Sequence, residues 1–392
     1  MKILQTADNH IGETAYSKID SATGLNARGI DFLNSFKKVC DIALEKRADV
    51  LLVVGDFFTR VNPHPRYVYE VMGALKSLSK SGITTIVVGG NHEAPRLATT
   101  LNPLKLLEHI DNVYCVLEPD TINVDGLDFV CVPSPSNFDE IKYVFKPMLD
   151  LALQKSSPGT KVLAVHTPMT GAITSSERVI EFFMGETVDT SQVPTNFAYV
   201  ALGHIHRFQR LKDSRMPMYY SGSSERCDFS EEGERKCCIL IEVEEGTSPN
   251  VTPIELPTRK MLTVIDKDCS GLSAAEITLA VLEAVEVEAS HIKDSLVRVK
   301  LDNIHVDESK YINWAKIREA LDEAEAFDVR PQPRTVVPAD RGTRLEAEYV
   351  FPPSRELELY LRDKQYSKNR RELLRLGRNV IKEAEETLKS ET

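Results

Sequence analysis

No stretch of this chain approaches the roughly 18 apolar residues a membrane helix requires, and the N-terminus enters a strand without a basic-then-apolar leader. Both absences lead us to expect a cytoplasmic protein with no membrane contact. Cysteine is sparse and unpatterned. The seven residues Cys40, Cys115, Cys131, Cys227, Cys237, Cys238 and Cys269 are scattered and odd in number, without the CxxC spacing of zinc or redox sites. They read as free buried thiols. Positive charge is also short: 48 basic against 59 acidic residues leave a net charge of −11. That argues against a strong unaided hold on nucleic acid, so local basic patches or a partner would have to hold such a substrate. Internal repeats and low-complexity tracts are missing as well.

What is present is a large apolar fraction and one recurring design. With 392 residues and 42% apolar content the chain can bury a substantial core and suggests two or three domains. The stretch Asp49 to Thr59, DVLLVVGDFFT, is an apolar run that reads as a buried parallel strand, followed by Gly55-Asp56. Four other segments repeat the pattern. Lys2 to Thr6 runs into Asp8-Asn9-His10, and Ile83 to Val88 into Gly89-Gly90-Asn91-His92-Glu93. Lys161 to Val165 ends at His166, and Tyr199 to Leu202 at Gly203-His204-Ile205-His206. The carboxyl ends of parallel strands are where open α/β sheets keep their chemistry.

Between these strands lie amphipathic segments at helical spacing: Gly29 to Arg47, Pro65 to Ser79, Leu97 to His109 and Asp139 to Gln154. Short strands are expected in Val113 to Pro133, around Asp125-Gly126, and at Met218 to Ser221 and Cys237 to Val243. Glu13 to Ala27 reads as a surface loop. The alternation predicts an α/β fold, a two-sheet sandwich. Pro249, Pro253 and Pro257 mark a boundary within Thr247 to Thr258. Beyond it the segments Met261 to Ile265, Ala274 to Ala289, Leu296 to Leu301, Ser309 to Glu323 and Phe327 to Arg330 form a β-α-β-α-β pattern, read as a small α+β domain. Pro331, Pro333 and Pro338 mark its exit. Ser354 to Ser390 reads as two helices whose apolar stripe (Leu373, Val380, Ile381, Ala384, Leu388) suits either its own chain or a partner. The expected domains are therefore residues 1–257, 258–338 and 339–392.

The ligand-type residues point to metal chemistry. Asp8 with His10, and His204 with His206, sit at i and i+2, so in extended backbone each pair projects to one side. Carboxylate, carboxamide and imidazole without thiolate suit Mn²⁺, with Mg²⁺, Fe²⁺ or Zn²⁺ less well matched. Asp56 is the candidate bridge between two ions. A cation pair about 3.5–4 Å apart lowers the pKa of a shared water and supports in-line displacement at phosphorus, which makes phosphoester hydrolysis the expected reaction. His92, one residue out of register with Asn91, is the candidate catalytic residue. A lone Asp-x-His or Gly-Asp carries little information, whereas the whole set, with five of nine histidines at strand ends, is specific. Arg207, Arg210, Lys212 and Arg215 are candidate phosphate contacts, to be weighed against an ordinary solvated surface.

DNH, GD, GNHE, a lone His and GHIH together resemble the signature of the calcineurin-like metallophosphoesterases. FAYVALGHIHRF and YYSGSSERCDFSEEGERK further resemble the SbcD nuclease family, the prokaryotic counterpart of the meiotic-recombination double-strand-break nuclease. The resemblance implies an α/β/β/α sandwich with a capping domain and a helical tail. It implies one metal held by Asp8, His10, Asp56 and His206, and another by Asp56, Asn91, His166 and His204, with His92 catalytic. It further implies two Mn²⁺ ions, endo- and exonuclease activity at DNA ends, and a homodimer through helices such as Pro65 to Ser79 and Leu97 to His109. An SbcC-like coiled-coil ABC-type ATPase would grip the C-terminal helices, and the complex would work at the nucleoid. Two departures stand out: Thr59 replaces a histidine many relatives carry, with His64 nearby as a substitute, and Glu93 stands where relatives often have Asp. The alternatives are a phosphodiesterase for a small nucleotide or phospholipid, and a DNA-end-binding scaffold with weak catalysis.

Overall fold

The computed structural model describes residues 1–16, 18–95, 97, 99–135, 141–175, 187–212, 214–336 and 373–378. The chain divides into a compact unit Met1–Thr335 and a second unit Val336–Thr392. Of the tail helices expected over Ser354 to Ser390, only a helical stretch at 373–378 falls within the described residues.

The first sheet contains β1 (Lys2–Thr6), β2 (Val50–Val54), β3 (Thr84–Val88), β4 (Val113–Val116), β11 (Cys237–Glu242) and β12 (Asn250–Glu255), in the order β12-β11-β1-β2-β3-β4. β1 to β4 run parallel, whereas β11 pairs antiparallel with β1 and with β12. The second sheet contains β5 (Asp120–Val124), β6 (Leu127–Val132), β7 (Lys161–His166), β8 (Tyr199–Gly203), β9 (Gln209–Arg210) and β10 (Met218–Tyr220), in the order β5-β6-β7-β8-β10-β9. Its central strands β6, β7, β8 and β10 are parallel.

The two sheets face one another across a core of Ile3, Val50, Leu52, Val54, Ile86, Phe129, Val162, Ala164 and Ala201. α1 (Ala27–Lys46) and α2 (Pro65–Lys80) cover the outer face of the first sheet through Phe36, Val39, Val71 and Leu75. α3 (Ile141–Gln154) covers the second through Ile141, Phe145 and Leu149. This is the two-sheet sandwich expected from the apolar patterning, with the α/β/β/α layering that the resemblance implies. β2 shows why: all five residues are fully buried, each contributing roughly 1.5–3 kcal/mol of apolar burial, as befits a strand covered on both faces.

Met261–Asp268 (β13), Ala274–Ile292 (α4), Leu296–His305 (β14), Trp314–Glu323 (α5) and Asp328–Val336 (β15) build a three-stranded sheet with two helices. Their core of Ile277, Val281, Val297, Val299 and Leu321 is separate from those of the sandwich. Arg259 ties the two parts together. Its Nε and Nη2 reach both carboxylate oxygens of Asp31 at 2.6 and 2.7 Å, and its guanidinium lies 3.5 Å from the Phe327 ring centroid. Lys18 Nζ donates to Phe327 O at 2.6 Å, and Thr263 N to Glu232 Oε1 at 2.6 Å.

Several expectations require correction. Leu97 to His109 is not an α-helix: a 3₁₀ helix spans Pro103–His109, capped by Asn102, because the residue before a proline is pushed out of the α region. The proline-rich segments read as boundaries are partly strands. Pro253 lies in β12 and Pro331 and Pro333 in β15, both at the ends of their sheets, where a missing ladder donor is tolerated. The helix expected from Ser309 begins at Trp314, after a single turn at Val306–Ser309. Among the described residues, no helix is long and apolar enough to cross a membrane.

Replacing Arg259 by Ala is expected to destabilise the unit by about 1.5–3 kcal/mol, the range for hydrogen bonds to charged groups. Arg259→Lys should recover less than half, because an ammonium supplies neither the paired fork nor the planar stacking. Urea unfolding followed by circular dichroism measures both.

Candidate metal centre

The ligand-type residues leave the ends of β1, β2, β3, β7 and β8, and the structure brings Asp8, His10, Asp56, Asn91, His166, His204 and His206 together. The i, i+2 pairs converge by a different route from the extended backbone expected. Strand β1 stops at Thr6 and β8 at Gly203, and Asp8, His10, Asp56 and His204 take positive φ values of 48°, 42°, 46° and 95°. Each such residue costs about 1–3 kcal/mol and persists only where its surroundings hold it. Here the surroundings are backbone bonds between the two loops: Asp8 N to Gly55 O at 3.1 Å and His10 N to Asp56 O at 3.0 Å.

Close approach of the sheets depends on missing side chains. A Cβ on Gly203 would collide with Val54 O, one on Gly55 with the His166 ring, and one on Gly90 with Asp56. Through the space so left, His166 Nδ1 comes within 2.9 Å of Val54 O. A carbonyl only accepts, so Nδ1 carries the proton and Nε2 is the inward-facing atom, 3.1 Å from Asn91 Oδ1 and 3.2 Å from Asp56 Oδ2. His206 is fixed in the same way: Nδ1 lies 2.9 Å from Glu231 Oε1, and Nε2 faces His10 Nε2 at 3.1 Å. Asp8 accepts His204 N–H on both oxygens at 3.0 Å. Asp56 Oδ1 accepts His92 N–H at 2.9 Å.

Electrostatics set these groups against one another. Burial raises the Asp8 pKa to about 6, restrained by His166 and His206. Burial also acts on Asp56, but His166 and His92 outweigh it and hold that carboxyl well below its ordinary value. Burial opposes charge on His166, yet Asp56 beside it lifts its pKa to about 9. His204 falls to about 3 through burial and the proximity of His166, and His10 is driven down by burial, then by His206 and His92. His10 and His204 held neutral and Asp56 held ionised are in the protonation states that ligate cations, whereas His166 has to release its proton to do so.

The residues present fit a divalent pair. Nε2 atoms of His166 and His206 turn inward because Nδ1 is taken by an oxygen, as metal-bound histidines are usually held. Potential ligand atoms cluster as Asp56, His166 and His204, as His10, Asp56 and His92, and as His10, His206 and Cys227, each group within 4.8 Å. Asp56 is shared by two of the three. The third group sets a thiol, Cys227, beside two of the imidazoles.

Glu231 and Lys236 were not singled out from sequence. Glu231 is fully buried, and its Oε2 meets Lys236 Nζ at 2.6 Å, which also donates to His206 O at 3.0 Å. Burial raises the Glu231 pKa, but His206 and Lys236 overcome it and hold the group far down. Glu93 accepts Gly90 N–H at 2.9 Å and so shapes the turn that presents Asn91. Thr59 donates its hydroxyl to Glu13 Oε2 at 2.8 Å, and its carbonyl faces His92 Nδ1 at 3.2 Å. His64 accepts Arg66 N–H at 3.2 Å as the cap of α2. Arg207, Arg210, Lys212 and Arg215 are exposed.

A two-sheet sandwich with this donor set defines a metallophosphoesterase. The profile of the calcineurin-like phosphoesterase family matches residues 1–208, and the chain belongs to that family. It is a metal-dependent hydrolase of phosphate esters. Among named proteins it is similar to the SbcD component of the nuclease SbcCD of Bacillus subtilis, at 29% identity over 299 residues, covering 70% of this chain and 74% of that one. The same component from Staphylococcus epidermidis is 24% identical over 350 residues, 82% of this chain and 91% of that one. The DNA double-strand break repair protein Mre11 of Sulfurisphaera tokodaii is 27% identical over 277 residues, covering 67% and 65%.

Glu231→Ala is expected to destabilise the chain by about 3–5 kcal/mol, because it removes the nearer carboxylate from the buried Lys236 ammonium and leaves only Glu234, at 3.3 Å. Adding Lys236→Met should recover part of that loss. Thermal unfolding of the single and double variants checks the coupling.

Proposed function

We propose that the chain is a Mn²⁺-dependent DNA endo- and exonuclease, the catalytic component of an SbcCD-like complex that processes double-strand breaks. The convergence of Asp8, His10, Asp56, Asn91, His166, His204 and His206 on one point is the observation that carries this assignment. The names borne by the similar proteins support DNA as the substrate class. Asp8, His10, Asp56 and His206 would hold one cation, and Asp56, Asn91, His166 and His204 the other. When bound, such a pair lowers the pKa of a water between the ions and stabilises the attacking and leaving oxygens.

The chain's own residues supply the rest. His92 is half exposed where substrate would enter. Its Nδ1–H points at Thr59 O, so Nε2, 3.9 Å from Asp56 Oδ2, is free to carry the proton that the leaving oxygen needs. The left-handed turns at Asp8 and Asp56 keep both carboxylates fixed before substrate arrives. Arg207, Arg210, Lys212 and Arg215 would contact the phosphate backbone, and the acidic balance of the whole chain favours a partner that helps hold DNA.

That partner would be an SbcC-like coiled-coil ABC-type ATPase bound through residues 354–390, in keeping with the naming of a similar protein as one part of a two-part nuclease. The same scheme divides the chain into a nuclease domain at 1–257, a capping domain at 258–338 and a tail at 339–392. It makes the protein a nucleoid-associated homodimer, with α2 presenting Tyr69 to the other copy.

The purified chain with Mn²⁺ should cleave both single- and double-stranded DNA, and His92→Ala should slow cleavage by two to four orders of magnitude, roughly the contribution of a general acid, while two Mn²⁺ still bind. Turnover of a small phosphodiester far outrunning DNA would assign a different substrate. No cleavage with Mn²⁺, alone or with the ATPase, would overturn the nuclease assignment.

A further inference from the structure

We propose that Cys227 equips this centre to capture a soft divalent cation such as Zn²⁺ or Cd²⁺, held by its thiolate with the imidazoles of His10 and His206. The proposal rests on the cation-binding assignment above and not on DNA as the substrate. One nitrogen of each ring and the Cys227 Sγ lie within 4.8 Å of one another, and the two Nε2 atoms are 3.1 Å apart. A tetrahedral zinc ion with bonds of about 2.3 Å to sulfur and 2.0–2.1 Å to nitrogen sets its donors roughly 3.3–3.6 Å apart. The two Nε2 atoms are within a few tenths of an ångström of that spacing, and the sulfur lies within 4.8 Å of a nitrogen of each ring.

The placement of the thiol is built into the loop. Cys227 N–H donates to Glu231 Oε2 at 3.0 Å, and the other oxygen of that carboxylate holds His206. One buried acid therefore positions both the sulfur and a ring. Cys227 is half-buried. Cys40, Cys131, Cys237, Cys238 and Cys269 are buried, and among the described residues no other cysteine joins such a group.

The chemistry separates this arrangement from the productive one. On binding, the S–H bond breaks, its proton passes to solvent, and a sulfur–metal bond forms. Thiolate favours zinc and cadmium strongly over manganese and magnesium. His10 and His206 belong to the set that includes Asp8 and Asp56, so a soft cation on the thiolate withdraws two imidazoles from it. Zinc is expected to act as an inhibitor that excess manganese relieves slowly.

Cobalt titration of the full chain, with Co²⁺ standing in for Zn²⁺, tests the bond directly. Wild type should develop a sulfur-to-cobalt charge-transfer band in the near ultraviolet, and Cys227→Ser should lose that band while still binding Co²⁺. A band that is missing in wild type, or unchanged in Cys227→Ser, would overturn the proposal. Alkylation by iodoacetamide, followed by mass spectrometry, gives a second readout. One equivalent of Zn²⁺ should slow modification of Cys227 about tenfold relative to Mn²⁺, since a coordinated thiolate is a poor nucleophile, while half-buried Cys115 reacts equally in both. Equal rates at Cys227 in the two metals would count against the site. Neither readout involves DNA, so a failure here is distinct from a failure of the nuclease assignment.

Discussion

The bond from His166 Nδ1 to Val54 O, 2.9 Å long and fully buried, joins the end of one sheet to the end of the other. Everything else in the centre depends on that approach. It forces glycine at positions 55 and 203, because a side chain at either would separate the strands. It also sets the tautomer of His166 and turns Nε2 toward Asp56. Gln5 makes a similar link deeper in the sandwich, donating to Leu202 O at 3.2 Å and accepting from Tyr199 OH at 2.7 Å. Polar contacts inside an otherwise apolar interface fix the register of two sheets that apolar packing alone would let slide.

Rigidity is the common theme of the loops that leave those strands. Four of the ligand-type residues sit in backbone conformations that most side chains avoid, and each is clamped by a hydrogen bond from another loop. The strain is offset by the burial of the strands behind it. Glu231 and Lys236 extend the clamp outward: the lysine binds both the acid and the His206 carbonyl. Such a pair has little net effect on stability but fixes where an imidazole points.

The fold was legible wherever position along the chain encodes position in space. Apolar runs ending in Gly-Asp or Asp-x-His marked strand ends, and stripes such as Phe36, Val39 and Ala43 marked the helix that covers them. Prolines misled because an edge strand accepts what a central one rejects, so Pro253 and Pro331 read as boundaries and sit in strands. Glu231 and Lys236 were hidden because their signal is a mutual contact within a short run of charges that reads like any solvated loop. Cys227 escaped because motif spacing finds thiols near other thiols, while this one meets two imidazoles only after the turn at Gly222 folds back on His206.

The strand order of the first sheet also bears on how the protein is made. β1 lies between β2 and β11, with Ile3 opposite Ile241, so the first strand of the sandwich to be translated waits for one of its two neighbours until most of the sandwich has been made. Pairings so distant in sequence close slowly. The nascent chain must meanwhile shield an open hydrogen-bonding edge from other chains, and a fragment that stops short of Cys237 would retain that edge permanently.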